Sequence, residues 1–260
     1  MQRLVFLSQS RLLGCPNPTT SNLVFTIVFL PTYRYRPMMC GIHALLSPGA
    51  QTISPDLELC LCNRGPDYLG KEQRSVSDTW TLSFTSTVLA LRGDHITKQP
   101  LTHPTNGSIL CWNGEAWRID GRQVEGNDGE AVLDLLVKAS ASPAARLKAV
   151  LEVLRAVEGP FAFVYYDEPS RSLFFGRDRL GRRSLMLSEG DVPGTLALCS
   201  VAQSCDPSWR EVEADGVYSI DCSHPQAIIS NSTRHDWLAD GCVDFVSPRP
   251  SHYLLFIRPR

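Results

Sequence analysis

The pattern of apolar and polar residues in the first part of the chain predicts strands with one short helix. The apolar run CGIHALLS (40–47) predicts a buried strand that ends at Pro48-Gly49. Residues 55–62 predict a short helix with Ser54 as its N-cap. Residues 79–92 alternate and are rich in Thr, Val and Leu, which predicts one or two strands.

In the middle of the chain, apolar residues no longer alternate with polar ones but recur at the spacing of a helix. Residues 131–140 and 145–157 place apolar side chains three and four positions apart, with Pro143 between the two segments. Asn127 and Asp128 are suited to cap the first segment, because their short polar side chains accept from free backbone N–H groups. Two adjacent helices are therefore predicted.

Strands are expected on both sides of these helices. Residues 108–119 predict a β-hairpin, because the dipeptide Asn113-Gly114 between two strand-like runs is a strong turn signal. Four strand candidates follow within 159–201, and 209–221 adds one or two more. Strands, two neighbouring helices and strands again predict α+β layers rather than alternating parallel units.

The two ends of the chain differ from this core. Residues 1–39 contain arginines but no acid, and the first acid of the chain is Asp56. The apolar run 23–30 is too short to span a bilayer, which takes about 20 residues. We interpret 1–39 as a leader or, preferably, an extension from an upstream start assigned to the gene; an organelle transit peptide is the alternative. Residues 226–260 lack any period and are expected to be an irregular tail or a linker remnant.

Composition narrows the class of protein. The chain has 260 residues, 43% of them apolar, and a net charge of −2, so no strong field favours nucleic acid or a membrane surface as partner. Its nine cysteines are odd in number and several lie in apolar runs, which favours reduced thiols and a cytoplasmic location. A mitochondrial location would follow if 1–39 were a transit peptide. Cys60 and Cys62 have no second close pair at zinc spacing, so no metal site is expected.

Five short motifs occur in a fixed order along this core. They are MCGI (39–42), RGPD (64–67), LRG with QPL (91–101), NGE (113–115) and GRDRLGRRSL (176–185). An Asn-Asp-Gly-Glu run at 127–130 precedes the first predicted helix. Each motif alone has an ordinary structural explanation, such as a turn, a helix cap or a surface ion pair. Their combination resembles the glutamine-hydrolysing domain of the asparagine synthetase family, a class II glutamine amidotransferase with an N-terminal nucleophile.

The resemblance covers Cys40 to about residue 221 and implies both a fold and a reaction. The fold would be α+β, a four-layer αββα sandwich of the N-terminal-nucleophile hydrolase type, over residues 40–225. The reaction would hydrolyse L-glutamine to glutamate and ammonia through a cysteinyl thioester. Cys40 would be the nucleophile and its own α-amine, which titrates near pH 8, the base. That role requires that Met39 and everything before it be removed.

The family's other site residues carry over onto matching positions. The Asn113 amide and the Gly114 N–H would stabilise the oxyanion. Arg92 would hold the α-carboxylate of the substrate. Asp128, helped by Glu115, would accept from the substrate α-ammonium.

Two neighbouring motifs are assigned support rather than catalysis. Arg177 and Asp178 resemble a family element that lies beside the substrate pocket. The RGPD segment would hold the strand that carries Cys40 against its neighbour.

Several positions depart from the family pattern. Asn63 stands where a histidine is usual. Only six residues separate Arg92 from Gln99, which predicts a short substrate-covering loop. Trp117 is expected to reshape the pocket wall. The form GRDxxGRRSL differs from the GRDxxGxxPLY common in true asparagine synthetases and resembles a side branch of the family.

The largest departure is the missing synthetase domain, since no Ser-Gly-Gly-x-Asp-Ser phosphate loop is present. No cofactor is expected in this domain; ATP and Mg belong to the missing domain, and a separate synthetase domain or subunit would accept the ammonia. A second hypothesis is a catalytically silent binding or regulatory domain whose cysteine stays blocked. A third is another N-terminal-nucleophile amidase, against which Arg92 with Asp128, a pair suited to a free amino acid, argues.

Overall fold

The computed structural model describes residues 39–91, 95–190, 192, 194–202, 208–223 and 232–237. In chain order the elements are β1 (Gly41–Pro48), α1 (Pro55–Cys62), β2 (Tyr68–Ser75), β3 (Trp80–Val88), β4 (Leu101–Thr102), β5 (Ile109–Gly114), β6 (Arg118–Ile119), β7 (Arg122–Gln123), α2 (Asp128–Ala139), α3 (Arg146–Ala156), β8 (Val157–Glu158), β9 (Phe161–Asp167), β10 (Ser172–Arg177), β11 (Met186–Glu189), β12 (Leu196–Cys199), β13 (Arg210–Glu211), β14 (Gly216–Asp221) and β15 (Thr233–Asp236).

Two six-stranded antiparallel sheets form the centre of the fold. The strand order is β13-β11-β12-β1-β3-β2 in the first sheet and β15-β14-β10-β9-β5-β4 in the second. Strand β1 lies in the interior of the first sheet, where His43 pairs with Thr85 of β3 on one side and Cys199 of β12 on the other. The residue before β1 is Cys40, so the sheet holds the chain directly after this thiol.

The sheets stack face to face because each presents an apolar row inward. Ile42 and Phe84 of the first sheet and Val164 and Tyr166 of the second belong to one buried cluster. Burying such side chains contributes about 1.5–3 kcal/mol each. This cluster forms the hydrophobic core between the two sheets.

Helices cover both outer faces. Leu136 of α2 and Leu154 of α3 pack with Trp112 and Phe163 of the second sheet. Leu61 of α1 packs with a smaller cluster on the first sheet. The result is an αββα sandwich, which confirms the predicted fold class.

The helix starts follow the caps expected from sequence. The Ser54 hydroxyl accepts from the Leu57 N–H at 3.3 Å at the start of α1, and the Asn127 amide oxygen accepts from the Glu130 N–H at 3.1 Å at the start of α2. Each bond satisfies a backbone donor that the helix itself leaves free. The two helices predicted after residue 127 are confirmed as α2 and α3.

The predicted hairpin at residues 108–119 is wrong. Asn113 and Gly114 are strand residues of β5 and lie opposite Ala162 and Phe161 of β9. A Cβ on Gly114 would lie 2.5 Å from the Phe161 Cβ and 2.6 Å from the Pro160 oxygen. Glycine is therefore needed for close approach of two strands and not for a turn.

Several observed strands had no predicted counterpart, and β2 and β15 are the longest of them. Strand β2 is an edge strand whose sequence YLGKEQRS is mostly polar, because charged side chains at an edge face solvent. Strand β15 pairs with β14 and lies inside the segment 226–260 that the sequence left without regular structure. The second sheet thus extends beyond residue 225.

Other sequence expectations meet the structure only in part. The six cysteines among the described residues are free thiols, and half of them are buried. No helix in the described part of the chain has both the length and the apolar character needed to cross a bilayer. Residues 1–38, Arg92 and the segment from 238 to the end lie outside the described residues.

Candidate active site

Cys40 lies at the mouth of the sandwich, next to the end of β3. Its half-buried sulfur accepts from the Leu89 N–H at 3.4 Å and donates to the Leu89 carbonyl oxygen at 3.8 Å. Burial raises the pKa of the thiol above its usual value, and the nearby Asp128 carboxylate raises it further, whereas the Leu89 bond and the Arg64 guanidinium act in the opposite direction. The thiol is therefore protonated at neutral pH and needs a base to react.

The RGPD segment fixes the residues around this thiol. The Arg64 guanidinium donates from Nε to the Cys40 carbonyl at 3.4 Å, and the Arg64 carbonyl accepts from the Met39 N–H at 3.1 Å. The Asp67 carboxylate accepts from the Ala90 N–H at 2.8 Å. These bonds connect the turn after α1 to the start of β1 and to the chain after β3.

Asn113 presents an unusual buried donor. Its side chain is 1% exposed, and its Nδ2 atom has no hydrogen-bond partner among the described residues. A buried polar group left unpaired costs about 1–3 kcal/mol. The fold therefore maintains a free amide donor at the end of β5.

The backbone of Gly114 supplies a second donor at this strand end. In antiparallel pairs, successive N–H groups of a strand point to opposite sides. The Glu115 N–H donates to Pro160 beyond β9, so the Gly114 N–H points away from β9. It faces the same side as the Trp112 N–H, which donates to the Gln99 side-chain oxygen at 2.8 Å.

Asp128 is the first residue of α2 and is 6% exposed. Its Oδ2 atom accepts from the Trp112 indole N–H at 2.8 Å and from the Ala116 N–H at 2.8 Å. Both bonds use the same oxygen and orient the carboxylate beside the end of β5. Because Asp128 raises the pKa of Cys40, the carboxylate and the thiol share one electrostatic environment.

Glu115 is held nearby by main-chain and side-chain bonds. Its carboxylate accepts from the Trp117 indole N–H at 3.3 Å, and the Arg182 guanidinium lies 5.6 Å from the centre of the Trp117 ring. Trp117 is 48% exposed. Arg92, assigned to the substrate carboxylate, lies outside the described residues.

Arg177 and Asp178 stabilise the turn behind the site. The buried Arg177 donates to the carbonyls of Arg183 at 2.7 Å and Val212 at 3.1 Å. The Asp178 carboxylate accepts from the Phe161 N–H at 3.1 Å and from the Arg182 Nε at 2.9 Å. Since Phe161 lies opposite Gly114, these contacts position the strand that faces the candidate oxyanion site.

Asp128 is bonded to residues on either side of Asn113 and Gly114, and its carboxylate lies near enough to Cys40 to raise the pKa of the thiol. The structure also adds a residue that the sequence analysis did not single out: the Arg183 guanidinium contacts the Met39 sulfur at 3.1 Å. The available signal was the last arginine of the GRDRLGRRSL motif, a cation within a motif already assigned to the site.

Residues 39–219 match the glutamine amidotransferase domain family. Asparagine synthetase domain-containing protein 1 from Bos taurus is 36% identical over 190 residues, which cover 70% of this chain and 28% of the bovine protein. Its Homo sapiens counterpart is 32% identical over 191 residues, covering 70% and 28% respectively. Asparagine synthetase [glutamine-hydrolyzing] from Mesocricetus auratus is 28% identical over 174 residues, covering 64% and 29%.

Solved structures show the same fold at low sequence identity. Glutamine phosphoribosylpyrophosphate amidotransferase from B. subtilis superposes with a TM-score of 0.53 at 15% identity, over 76% of this chain and 49% of that one. An allosteric regulatory enzyme of purine biosynthesis gives a TM-score of 0.54 at 16% identity, with the same coverage of 76% and 49%. The chain spans less than a third of the length of the curated relatives named above. On the extent of the family match and the identity to these relatives, the chain belongs to the glutamine amidotransferase domain family, on the side related to asparagine synthetase.

Proposed function

We propose that this chain hydrolyses L-glutamine to glutamate and ammonia, with Cys40 as nucleophile. The observation that carries the proposal is the buried Asn113 amide without a partner, next to a Gly114 N–H that points away from its sheet neighbour. Two convergent donors of this kind suit the oxygen of a tetrahedral intermediate. A thiol whose pKa is raised by burial and an anchored carboxylate lie at the same end of the fold.

The first half of the reaction transfers the glutamine acyl group to sulfur. The neutral α-amine of Cys40 takes the thiol proton, and the thiolate attacks the side-chain carbonyl carbon of glutamine. Asn113 and Gly114 donate to the oxyanion that forms. The intermediate then collapses: the carbon–nitrogen bond breaks, the ammonium of Cys40 returns its proton, and ammonia leaves.

The second half regenerates the enzyme. The same amine removes a proton from water, and the resulting hydroxide attacks the thioester carbonyl. The carbon–sulfur bond breaks, the thiolate recovers the proton, and glutamate leaves. Both halves pass through an oxyanion, so losing one donor is expected to slow the reaction about 10²–10³-fold.

Substrate recognition uses the two charged groups of a free amino acid. Asp128, oriented by Trp112 and Ala116, would accept from the α-ammonium, with Glu115 beside it. Arg92 would pair with the α-carboxylate. The ammonia acceptor would be a synthetase domain or subunit, because the chain matches only 28% of the bovine relative's length.

The base exists only if the chain is cut before Cys40. In the structure Cys40 follows Met39 through a peptide bond, and an amide nitrogen is not basic. The second candidate function is a domain that retains the fold for binding or regulation while its cysteine stays blocked. Sequencing the N-terminus of the natural protein by mass spectrometry separates the two: a start at Cys40 supports hydrolysis, and a retained Met39 contradicts it.

The activity test compares one preparation before and after cutting. A site-specific protease sequence is placed directly before Cys40 in the full chain, so that cleavage leaves cysteine as the first residue. We expect glutamate release from glutamine only after cleavage. Cys40→Ala should abolish it, while Cys62→Ala, which removes another half-buried thiol, should not. No glutamate from the folded, cleaved protein would refute the proposal.

A further inference from the structure

Two arginines contact the residues on either side of the peptide bond whose cleavage would free the Cys40 α-amine. Arg64 contacts residue 40 directly, since its Nε atom donates to the Cys40 carbonyl at 3.4 Å. Arg183 contacts the preceding residue, with its Nη1 atom 3.1 Å from the Met39 sulfur. Met39 precedes Cys40, so each guanidinium contacts one of the two residues that the peptide bond before Cys40 joins.

Both side chains keep a buried nitrogen without a partner. The Arg64 Nη2 and the Arg183 Nε have no hydrogen-bond acceptor among the described residues. The backbone around Arg183 is fixed, because its carbonyl accepts from the buried Arg177 at 2.7 Å. The Arg64 backbone is held through the Leu61 carbonyl, which accepts from the Arg64 N–H at 2.8 Å. The charges are therefore positioned by the fold.

The two guanidinium groups act on each other electrostatically. The pKa of Arg64 is lowered by burial first, and the nearby Arg183 charge lowers it further. Of the other titratable groups near this point, the Asp128 carboxylate has the opposite charge, and the Cys199 thiol is buried with a pKa of about 12, so it is neutral. A third cation placed beside two arginines is disfavoured unless Asp128 fully compensates.

We propose that Arg64 and Arg183 are positioning residues that keep the Cys40 α-amine neutral at physiological pH once residue 39 has been removed. The inference rests on the proposed function and assigns to these side chains the tuning of its base. Each guanidinium opposes protonation of the amine and thereby increases the fraction able to take the thiol proton. The Met39 side chain occupies the position beside Arg183 in the uncut chain.

The experiment measures the pH dependence of glutamine hydrolysis by the cleaved protein and by its Arg183→Met variant. Removing one positive charge near a partly buried amine raises the amine pKa by about one unit. The acidic limb of the kcat/KM profile should therefore move to higher pH by about one unit. Activity near pH 7 should fall roughly two- to fivefold, while activity near pH 9 should stay close to that of the parent.

Two matched variants distinguish an effect of the Arg183 charge from an effect of Arg183 packing. Arg183→Lys retains the charge and should restore the parent profile. Arg179→Met removes a cation of the same loop that contacts the Trp237 carbonyl at 3.5 Å instead, and should leave the profile unchanged. A uniform loss of rate at every pH would overturn the proposal, since it indicates a packing role. A higher KM with an unmoved acidic limb would also overturn it, since Arg183 would then bind substrate.

A direct titration keeps this proposal independent of turnover. The α-amine of the cleaved Cys40→Ser protein is labelled by reductive ¹³C-dimethylation, and its pKa is read by NMR with and without Arg183→Met. A higher amine pKa in the double variant supports the inference even if the cleaved parent protein proves inactive towards glutamine. Equal pKa values in the two proteins contradict it even if the parent is active.

Discussion

At the scale of single residues, the site is defined by polar atoms that the fold leaves unsatisfied. The buried Asn113 Nδ2 atom has no hydrogen-bond partner among the described residues. The indole N–H of the neighbouring Trp112, in contrast, donates to the Asp128 carboxylate. An unpaired buried donor reduces stability, so it is informative about binding. The donor provides little to the folded chain and much to an anion that enters the site.

Replacing Asn113 tests whether its unpaired amide reduces stability and supports activity. Asn113→Leu keeps the approximate volume and removes the unpaired donor. We expect kcat of the cleaved protein to fall about 10²–10³-fold with a small change in KM, and the free energy of unfolding to stay equal or rise by about 1 kcal/mol. Steady-state kinetics and urea denaturation measure the two effects. Asn106→Ala, in a turn where Asn106 accepts from Ser108, serves as the control for activity.

His43 provides a prediction about pH and stability outside the reacting set. It lines a cleft of about 340 Å³, is 4% exposed, and has an Nδ1 atom without a partner among the described residues. Burial lowers its pKa from 6.5 to about 4. The unfolded chain therefore binds a proton more readily than the folded chain between these two values, and the folded state loses stability as the pH falls through this window.

The expected loss is at most about 3 kcal/mol between pH 6.5 and pH 4, from a difference of about 2.5 pH units at 1.36 kcal/mol each. His43→Gln removes this titration. Urea denaturation at a series of pH values should show a shallower decline for the variant over this range than for the parent. Identical slopes would show that the imidazole is accessible to protons in the folded state.

At the scale of elements, the turn that carries Asp178 connects the site to the second sheet. Asp178 is 3% exposed and accepts from backbone N–H groups and from Arg182. Arg182 in turn donates to the Gly159 carbonyl at 2.6 Å. One carboxylate therefore positions both the start of β9 and the loop beside Trp117.

Asp178→Asn tests this arrangement. The neutral amide loses the charge-assisted bonds and presents a donor where the backbone also donates. We expect a loss of about 2–4 kcal/mol in the free energy of unfolding, measured by urea denaturation. Glu189→Gln disrupts an exposed ion pair with Arg210 at 3.1 Å and should change stability by less than about 1 kcal/mol. Equal effects of the two substitutions would contradict the buried role of Asp178.

The elements differ in how far the sequence reveals them. Helices α1 and α2 were predictable because caps and apolar spacing act within a few residues. The strand role of Asn113-Gly114 was not, because it depends on Phe161, which lies far away along the chain and fills the space that a turn would leave open. Strand β15 depends on pairing with β14, and its sequence TRHD has no pattern of its own.

The candidate site, like the secondary structure, could be predicted from the sequence only in part. The proposed nucleophile Cys40, the proposed oxyanion donors at residues 113–114 and the proposed substrate-binding carboxylate of Asp128 could be named from short motifs, since each motif is local in sequence. The approach of Arg183 to residue 39 could not, because it joins segments 144 residues apart. Contacts across sheets are set by packing and register, and no local pattern encodes them.

At the scale of the whole molecule, most of the described residues belong to one domain of the glutamine amidotransferase family. The family match covers residues 39–219, and the relatives named asparagine synthetase domain-containing protein 1 extend far beyond the matched region. Under the proposed function, the group that accepts ammonia would correspond to the part of these relatives outside the match.

This organisation predicts uncoupled chemistry in the isolated chain. After cleavage before Cys40, we expect glutamate and free ammonia to appear in equal amounts. Adding ATP, Mg²⁺ and aspartate should leave the rate of glutamate release unchanged and produce no asparagine. Amino-acid chromatography with an ammonia assay measures all products. Formation of asparagine dependent on ATP would show that this chain carries synthetase activity as well.

The position of β1 has a consequence for how such a protein could mature. Its ladder begins at Gly41 and is paired on both sides, whereas Met39 is tied to the described residues by one backbone hydrogen bond and one sulfur contact. Cleavage of the peptide bond before residue 40 would therefore lower the free energy of unfolding by about 1 kcal/mol and leave strand β1 in place. Cleavage before Cys40 would then expose the proposed nucleophile in a domain that is already folded, and no refolding step would be needed.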